Sequence, residues 1–163
     1  ANVTVAMGKA DCTPENIPVA APSPNVTVTV YGKEYALHCV SMGNPHAVCF
    51  LDDIQNLDME TIGPLFENNP IFPERVNTEF VKQTSPYELE MRVWERGSGE
   101  TYACGTGACA AVAAAVANGF CKINTEITVK LSGGTLKILC DGENNLFMTG
   151  NAVKVYDGVY MEG

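Results

Sequence analysis

The segment from Ala108 to Asn118 is the feature that most constrains how this chain can fold. After Cys109 it contains only alanine and valine until the final asparagine, and Asn118-Gly119 is typical of a helix end. A helix that is apolar on every side must be buried on every side. Since alanine side chains are small, a surrounding sheet can approach this helix closely. We therefore expect a central buried helix wrapped by a strongly curved sheet.

Short β-forming segments supply that sheet. A helix is predicted from Asp58 to Phe66, with a distortion expected at Gly63-Pro64. The fold class is therefore α+β, with a curved, mostly antiparallel, barrel-like sheet around one helix. Residues 1–163 are interpreted as a single domain, of which residues 1–25 are a partly irregular lead-in. The predicted strands are Val3–Val5, Val26–Tyr31, Tyr35–Val40, His46–Leu51, Val76–Lys82, Tyr87–Trp94, Glu126–Leu131, Thr135–Cys140, Leu146–Thr149 and Ala152–Tyr156.

Composition narrows the function classes. The 163 residues carry a net charge of −9, which argues against nucleic acid or an anionic membrane as the main partner. No signal peptide and no apolar run of membrane-spanning length is evident, so we expect a cytoplasmic protein. Its seven cysteines are then expected to be free thiols. None of them forms a CxxC pair, and no metal site is predicted.

Cys104 precedes the apolar helix in the run Ala103-Cys104-Gly105-Thr106-Gly107. A helix start offers free N–H groups and the positive end of the helix dipole, both of which favour a thiolate and bind carboxylates. Cys104 is thus a candidate base, and the N–H groups of Gly105 and Thr106 are candidate carboxylate donors. The alternative is a small buried residue in a glycine turn, which is the interpretation we favour for Cys109.

Four further residues are candidates because they lie where strands meet turns. His46 follows Gly43-Asn44-Pro45 and could tune a nearby thiol, although an ordinary turn before a strand explains it equally well. Arg96 is suited to hold a carboxylate and Glu95 an ammonium group or a thiol proton, but a solvated ion pair is the alternative. Asn77 could be a ligand contact or a polar residue at a strand edge.

Five blocks of sequence make a family resemblance specific. Their order and spacing closely resemble diaminopimelate epimerase over nearly the whole chain. The resemblance implies an amino-acid epimerase that needs no pyridoxal or other cofactor and interconverts LL- and meso-diaminopimelate on the route to lysine and peptidoglycan. The blocks are Ser41-Met42-Gly43-Asn44-Pro45-His46-Ala47-Val48, Arg75-Val76-Asn77, Trp94-Glu95-Arg96-Gly97-Ser98-Gly99-Glu100-Thr101, Ala103-Cys104-Gly105-Thr106-Gly107 and Val155-Tyr156-Asp157-Gly158.

The resemblance also implies a role for each matching residue. Such enzymes use two cysteines on opposite faces of the α-carbon, one from each of two similar lobes, and Cys104 matches the proton acceptor of the C-terminal lobe. His46 and Glu95 match a pair that tunes the thiols. The substrate-binding positions are matched by Asn44, Asn77 and Arg96 for the distal carboxylate, Glu95 for the distal amine, and Gly105 and Thr106 for the reacting carboxylate; Tyr156 matches a contact in a homodimer.

One motif of the family is missing. The first lobe carries its cysteine in Gly-Asn-Gly-x-Arg-Cys, and neither Gly43-Asn44 nor Gly150-Asn151 leads to Arg-Cys. The chain therefore resembles the C-terminal lobe alone, and we expect it to be inactive without an N-terminal lobe. Three alternatives stay open: a related pyridoxal-independent racemase, a cysteine hydrolase using Cys104 with His46, and a non-catalytic binding or dimerisation module.

Overall fold

A computed structural model describes residues 1–163, which form one continuous sheet and two α-helices. A single turn of 3-10 helix spans Pro14–Asn16. The helices are α1 (Met59–Glu67) and α2 (Gly105–Ala117). The strands are β1 (Asn2–Lys9), β2 (Asn25–Val30), β3 (Lys33–Ser41), β4 (Pro45–Phe50), β5 (Asn77–Ser85), β6 (Glu88–Glu95), β7 (Gly99–Thr101), β8 (Glu126–Leu131), β9 (Gly134–Cys140) and β10 (Asn145–Asn151).

The sheet has the strand order β1-β10-β9-β8-β6-β5-β4-β3-β2, and β7 pairs with β6. Only the β4–β5 and β6–β8 pairs are parallel. The sheet curves around α2 without closing, and Asp11, just after β1, exchanges two backbone hydrogen bonds of 3.0 and 2.7 Å with Ser41 at the end of β3. The predicted α+β class, with a curved and mostly antiparallel sheet around a central helix, is confirmed.

Helix α2 is the centre of the larger apolar cluster. Every residue from Gly107 to Ala115 is buried, as a helix of alanine and valine on all sides requires. Strands from both halves of the sheet pack on it, including β3, β4, β9 and β10. Cys109 is fully buried in this cluster, in agreement with the packing role predicted for it.

The opposite face of the sheet packs against α1. Because side chains alternate along a strand, Val81 of β5 faces α2 while its neighbour Phe80 faces the second apolar cluster with Phe66. The helix begins after Asp58, whose carboxylate accepts a 3.3 Å hydrogen bond from the Thr61 N–H, and it runs through Pro64 to Glu67. Neither helix has the length and apolar character needed to traverse a bilayer.

Two predictions about local structure are corrected. The strand predicted at Ala152–Tyr156 is wrong, since regular structure ends at Asn151. At that point β10 pairs with Asn2, the first residue of β1, and Ala152 exchanges two backbone hydrogen bonds of 2.8 and 3.0 Å with Ala1. No strand hydrogen-bonds to the residues after Ala152. The residues after Glu95 lie outside the predicted strands, but they include β7, whose Gly99 pairs with Glu95.

Candidate active site

Cys104 lies at the residue that caps the N-terminus of α2. Its backbone is extended, with φ −144° and ψ 108°, and its Sγ accepts a 3.3 Å hydrogen bond from the Gly107 N–H. The Thr106 hydroxyl lies 3.6 Å from the same sulfur. The thiol is therefore delivered to the start of the buried helix, as the Cys-Gly-Thr-Gly run predicts.

The first turn of α2 leaves donors free and requires a glycine. The first intrahelical hydrogen bond runs from the Ala108 N–H to the Cys104 carbonyl at 2.9 Å, so the N–H groups of Gly105 and Thr106 have no partner within the helix. A Cβ at Gly107 would lie 2.7 Å from Glu79 Oε1 and 3.1 Å from Cys104 Sγ. Only glycine allows the helix to approach the buried carboxylate this closely.

The protonation state of Cys104 differs from expectation. The sequence predicts a thiolate favoured by the helix start, whereas the thiol is largely desolvated and lies near Glu79. Burial and, second, the Glu79 charge raise the pKa of Cys104 to about 11, although the hydrogen bonds of Thr106 and Gly107 lower it. Desolvation outweighs the donors of the helix start, so the sulfur of this chain carries its proton at neutral pH.

Glu79 is the main residue of the site that sequence reasoning missed. Strands β4 and β5 are parallel neighbours, with His46 opposite Asn77, and the Glu79 side chain reaches back to His46. His46 Nδ1 lies 2.6 Å from Glu79 Oε1, and both side chains are fully buried. A charged residue inside a predicted strand was the available signal. Its partner could not be read from sequence, because α1 and its loops separate the two strands.

A chain of hydrogen bonds connects this pair to the thiol. Asn44 Oδ1 lies 2.9 Å from His46 Nε2 and can only accept, so Nε2 carries a proton. Asn44 Nδ2 in turn donates to Thr106 Oγ1 at 3.4 Å, and Thr106 adjoins Cys104. The 2.6 Å contact between His46 Nδ1 and Glu79 Oε1 is a hydrogen bond, so a second proton lies on one of these two atoms. Burial raises the pKa of Glu79, and the neighbouring His46 charge opposes this rise.

Asn77 and Arg96, two other predicted site residues, lie beside this series of hydrogen bonds. Asn77 Nδ2 donates to the Pro45 carbonyl at 2.9 Å, and Asn77 Oδ1 accepts the Arg96 N–H at 2.8 Å. The Arg96 guanidinium uses one donor, Nη1, on the Glu74 carbonyl at 3.1 Å. Asn77 thus joins β4, β5 and the end of β6, and it places Arg96 at the edge of the site.

Glu95, the last residue of β6, completes the group. Its Oε1 accepts a 2.6 Å hydrogen bond from the Thr101 hydroxyl on β7. Burial is the largest cause that raises the pKa of Cys104 and of Glu79, and the negative charge of Glu95 adds a smaller contribution to both. Tyr156, in contrast, lies in the irregular C-terminal segment with 80% of its surface exposed, away from these residues.

Residues 38–155 match the sequence profile of a family described as "Diaminopimelate epimerase". The matched segment contains Asn44, His46, Glu79 and Cys104 and so covers the hydrogen-bonded chain in full. The chain belongs to the diaminopimelate epimerase family. This confirms the resemblance carried by the five sequence blocks.

Relatives in the family are longer than this chain. It is 46% identical to the diaminopimelate epimerase of Acaryochloris marina over 167 residues, an alignment that covers 99% of the chain and 58% of the relative. With the diaminopimelate epimerase of Desulfitobacterium hafniense it shares 47% identity over 163 residues, covering 98% of the chain and 57% of the relative. The chain therefore spans little more than half the length of the epimerases that it matches.

Solved structures show the same fold at low sequence identity. A hydroxyproline epimerase from Agrobacterium vitis superposes with a TM-score of 0.63 at 16% identity, covering 91% of this chain and 49% of that one. A probable proline racemase from Agrobacterium radiobacter gives a TM-score of 0.66 at 14% identity, covering 99% and 54%. Each comparison places the epimerase-family chain on about half of a larger protein with this fold.

Proposed function

We propose that this chain forms one lobe of an enzyme that interconverts LL- and meso-diaminopimelate without pyridoxal, in the synthesis of lysine and peptidoglycan precursors. The observation that carries the proposal is the Cys104 thiol at the start of α2, next to two N–H donors without helical partners. A base for an α-proton and a cradle for the adjacent carboxylate thus occupy one helix end. The choice of diaminopimelate as the substrate rests on the family to which the chain belongs.

The proton moves between the α-carbon and Cys104 Sγ. As a thiolate, Cys104 removes the α-proton; as a thiol, it returns a proton to the same face. The N–H groups of Gly105 and Thr106 bind the carboxylate and stabilise the charge that develops on it while the α-carbon lacks its proton. The Thr106 hydroxyl, held by Asn44, stays within reach of the sulfur in both states.

The proposed distal subsite lies on the turn after β6. Arg96 retains donors beyond the one used on Glu74 and is suited to pair with the distal carboxylate. Asn44 and Asn77 remain in the proposed binding set; both amide ends of Asn77 are engaged, so it acts chiefly by fixing Arg96. Glu95 would accept a hydrogen bond from the distal ammonium group and, with His46, adjust the thiol pKa.

Inversion requires a second acid on the far face of the α-carbon. We propose that this group is the cysteine of an N-terminal lobe with the Gly-Asn-Gly-x-Arg-Cys motif, which this chain does not contain. The isolated chain is then inactive. A thiol pKa of about 11 is consistent with an active site that is incomplete without the N-terminal lobe. A cytoplasmic homodimer with Tyr156 at its contact is also part of this proposal.

The hydrolase alternative is less well supported. Both ring nitrogens of His46 are engaged, by Glu79 and Asn44, and the sulfur of Cys104 is bonded by Gly107 and Thr106. A cysteine hydrolase needs an imidazole nitrogen directed at the thiol.

A racemase with another substrate is distinguished by the distal subsite, so a panel of amino acids with and without a second carboxylate separates the two.

The decisive experiment measures deuterium incorporation from D2O at the α-carbon of diaminopimelate. A protein that combines this chain with its N-terminal lobe should exchange and epimerise, and Cys104→Ala should abolish the inversion. Cys12→Ser, at a partly exposed thiol in the segment after β1, is the matched control and should leave turnover unchanged. Normal epimerisation by Cys104→Ala, or by the isolated chain, would contradict the proposal.

A further inference from the structure

A second thiol with an imidazole neighbour lies away from Cys104. Cys12, which follows β1, has its Sγ 3.6 Å from His38 Nε2. The other ring nitrogen, Nδ1, lies 2.7 Å from Asn25 Oδ1. His38 lines a cavity together with Asn118, the residue that ends α2, whereas Cys104 caps the opposite end of the same helix. Cys12, His38 and Asn25 therefore form a cluster separate from the candidate active site.

The hydrogen bonds define the direction in which a proton can move. An amide oxygen only accepts, so the Asn25 contact requires a proton on His38 Nδ1. In the neutral imidazole, Nε2 then has a free lone pair, and this lone pair is directed at the Cys12 thiol. A nucleophile, a base in contact with it and a third group that orients the base are the arrangement required for an activated thiol.

The surroundings keep both groups uncharged. Burial lowers the pKa of His38. Burial and, second, the Asp11 charge raise the pKa of Cys12. Cys39 and Cys140 are the other titratable groups on which a charged Cys12 would act. A neutral thiol facing a neutral imidazole can lose its proton as it forms a new bond, without first becoming a free thiolate.

The cluster is open to small molecules. Cys12 is partly exposed to solvent. Its partners, the buried His38 and the exposed Asn25, line a neighbouring surface cavity of about 370 Å³, whose wall does not include Cys12. The cavity wall is completed by apolar side chains that include Phe50 and Phe120. An uncharged molecule is favoured at Cys12, because the carboxylate of Asp11 is adjacent to it and the chain has a net charge of −9.

We propose that Cys12, His38 and Asn25 form a second reactive site, at which Cys12 is modified by small uncharged electrophiles with an alkyl or acyl carbon. The sulfur forms a bond to that carbon while the leaving group departs with its electron pair, and His38 Nε2 takes the thiol proton. With an acyl thioester, the products are S-acyl Cys12 and a free thiol, to which His38 returns the proton. Asn25 acts as a positioning residue.

Iodoacetamide is the probe, and the rate of carbamidomethylation at each cysteine is followed by mass spectrometry of the purified chain. General-base assistance predicts that the Cys12 rate changes by less than about threefold between pH 6.5 and 8.5. A cysteine without a base, such as Cys104, should rise about tenfold per pH unit over the same range. His38→Gln should lower the Cys12 rate at pH 7 by at least about tenfold and restore the steep pH dependence.

Asn25→Ala provides a test that does not disturb a buried residue. It should lower the Cys12 rate severalfold with the pH profile still shallow, because His38 remains but is no longer held. Thr29→Ala, another exposed position on β2, is the matched control and should leave the rate unchanged. The proposal is overturned if Cys12 shows the steep profile of Cys104 in the unmodified chain, or if its rate is indifferent to both His38→Gln and Asn25→Ala.

Discussion

His46 Nδ1 and Glu79 Oε1 lie 2.6 Å apart in a part of the chain from which solvent is fully excluded. The pair lies beneath the first turn of α2, and the second carboxylate oxygen of Glu79 has no hydrogen-bond partner. A buried carboxylate with an unpaired oxygen is costly to the stability of the fold. Because Glu79 lies near Cys104, this one buried carboxylate affects both the packing of the core and the pKa of the thiol.

Removing the carboxylate should destabilise the fold. Glu79→Ala leaves His46 buried without its partner, for which we expect a loss of about 3 kcal/mol or more in the free energy of unfolding. Glu79→Gln keeps a hydrogen-bonding group of similar size and should cost less. Urea denaturation measures both.

The matched control is Glu126→Ala, which breaks the exposed pair with Lys137 and should change the free energy of unfolding by less than about 1 kcal/mol. Equal effects at Glu79 and Glu126 would show that the buried pair has no structural role.

The pH dependence of Cys104 alkylation tests the protonation state of the candidate base. Because burial and Glu79 raise the thiol pKa to about 11, the thiolate fraction should rise about tenfold per pH unit from pH 7 to 10. Iodoacetamide kinetics at this residue should show no plateau in that interval.

Thr106→Val removes a hydrogen bond that lowers the pKa of Cys104, so the rate at a given pH should fall. Thr135→Val, at an exposed position of β9, is the control. A plateau near neutral pH would instead indicate a thiolate favoured by the helix start, as the sequence alone suggested.

Gly107→Ala should disturb both the thiol and the pair beneath it. The new Cβ would lie 2.7 Å from Glu79 Oε1, and overpacking of this kind typically destabilises by about 1–3 kcal/mol. Thermal or urea unfolding gives the value. In a Glu79→Ala background the added penalty should shrink, because that contact is gone.

Gly142→Ala is the comparison, since its only near neighbour is Ile123 Cδ1 at 3.6 Å. We expect its effect on the free energy of unfolding to stay within about 0.5 kcal/mol. An additive Gly107–Glu79 double mutant would argue against direct steric contact between the two.

Asn77→Ala removes two hydrogen bonds, to the Pro45 carbonyl and from the Arg96 N–H. We expect a loss of about 2 kcal/mol in the free energy of unfolding, at about 1 kcal/mol for each bond. In a two-lobe enzyme the same change should raise the KM for diaminopimelate, because Arg96 is no longer held.

Asn56→Ala is the control, since it removes a single exposed contact with Asp53. An Asn77→Ala protein with unaltered stability and unaltered KM would remove Asn77 from both the structural and the binding role.

Much of this architecture can be predicted from local sequence. The alanine-rich run of α2 forms a helix and, having no polar side, can only be buried, so the curved sheet around it follows. The Cys-Gly-Thr-Gly run likewise places a thiol at a helix start. The five sequence blocks of this chain identify the family, since each block is a short local pattern with its own spacing.

Other features depend on contacts between segments that are distant in sequence. The pairing of His46 with Glu79 exists because β4 and β5 become parallel neighbours across α1. The strand predicted at Ala152–Tyr156 is absent because, beyond the bonds between Ala152 and Ala1, no other segment hydrogen-bonds to these residues. Both outcomes depend on which strand lies next to which.

The charge state of Cys104 shows the same division. Sequence alone determined that the thiol meets the favourable end of a helix, which is a local property of the backbone. Only the tertiary structure decided that the sulfur keeps its proton, because folding buries it and places the Glu79 carboxylate nearby. Desolvation and the charge of a distant residue are properties of the folded chain, and here they outweigh the local donors.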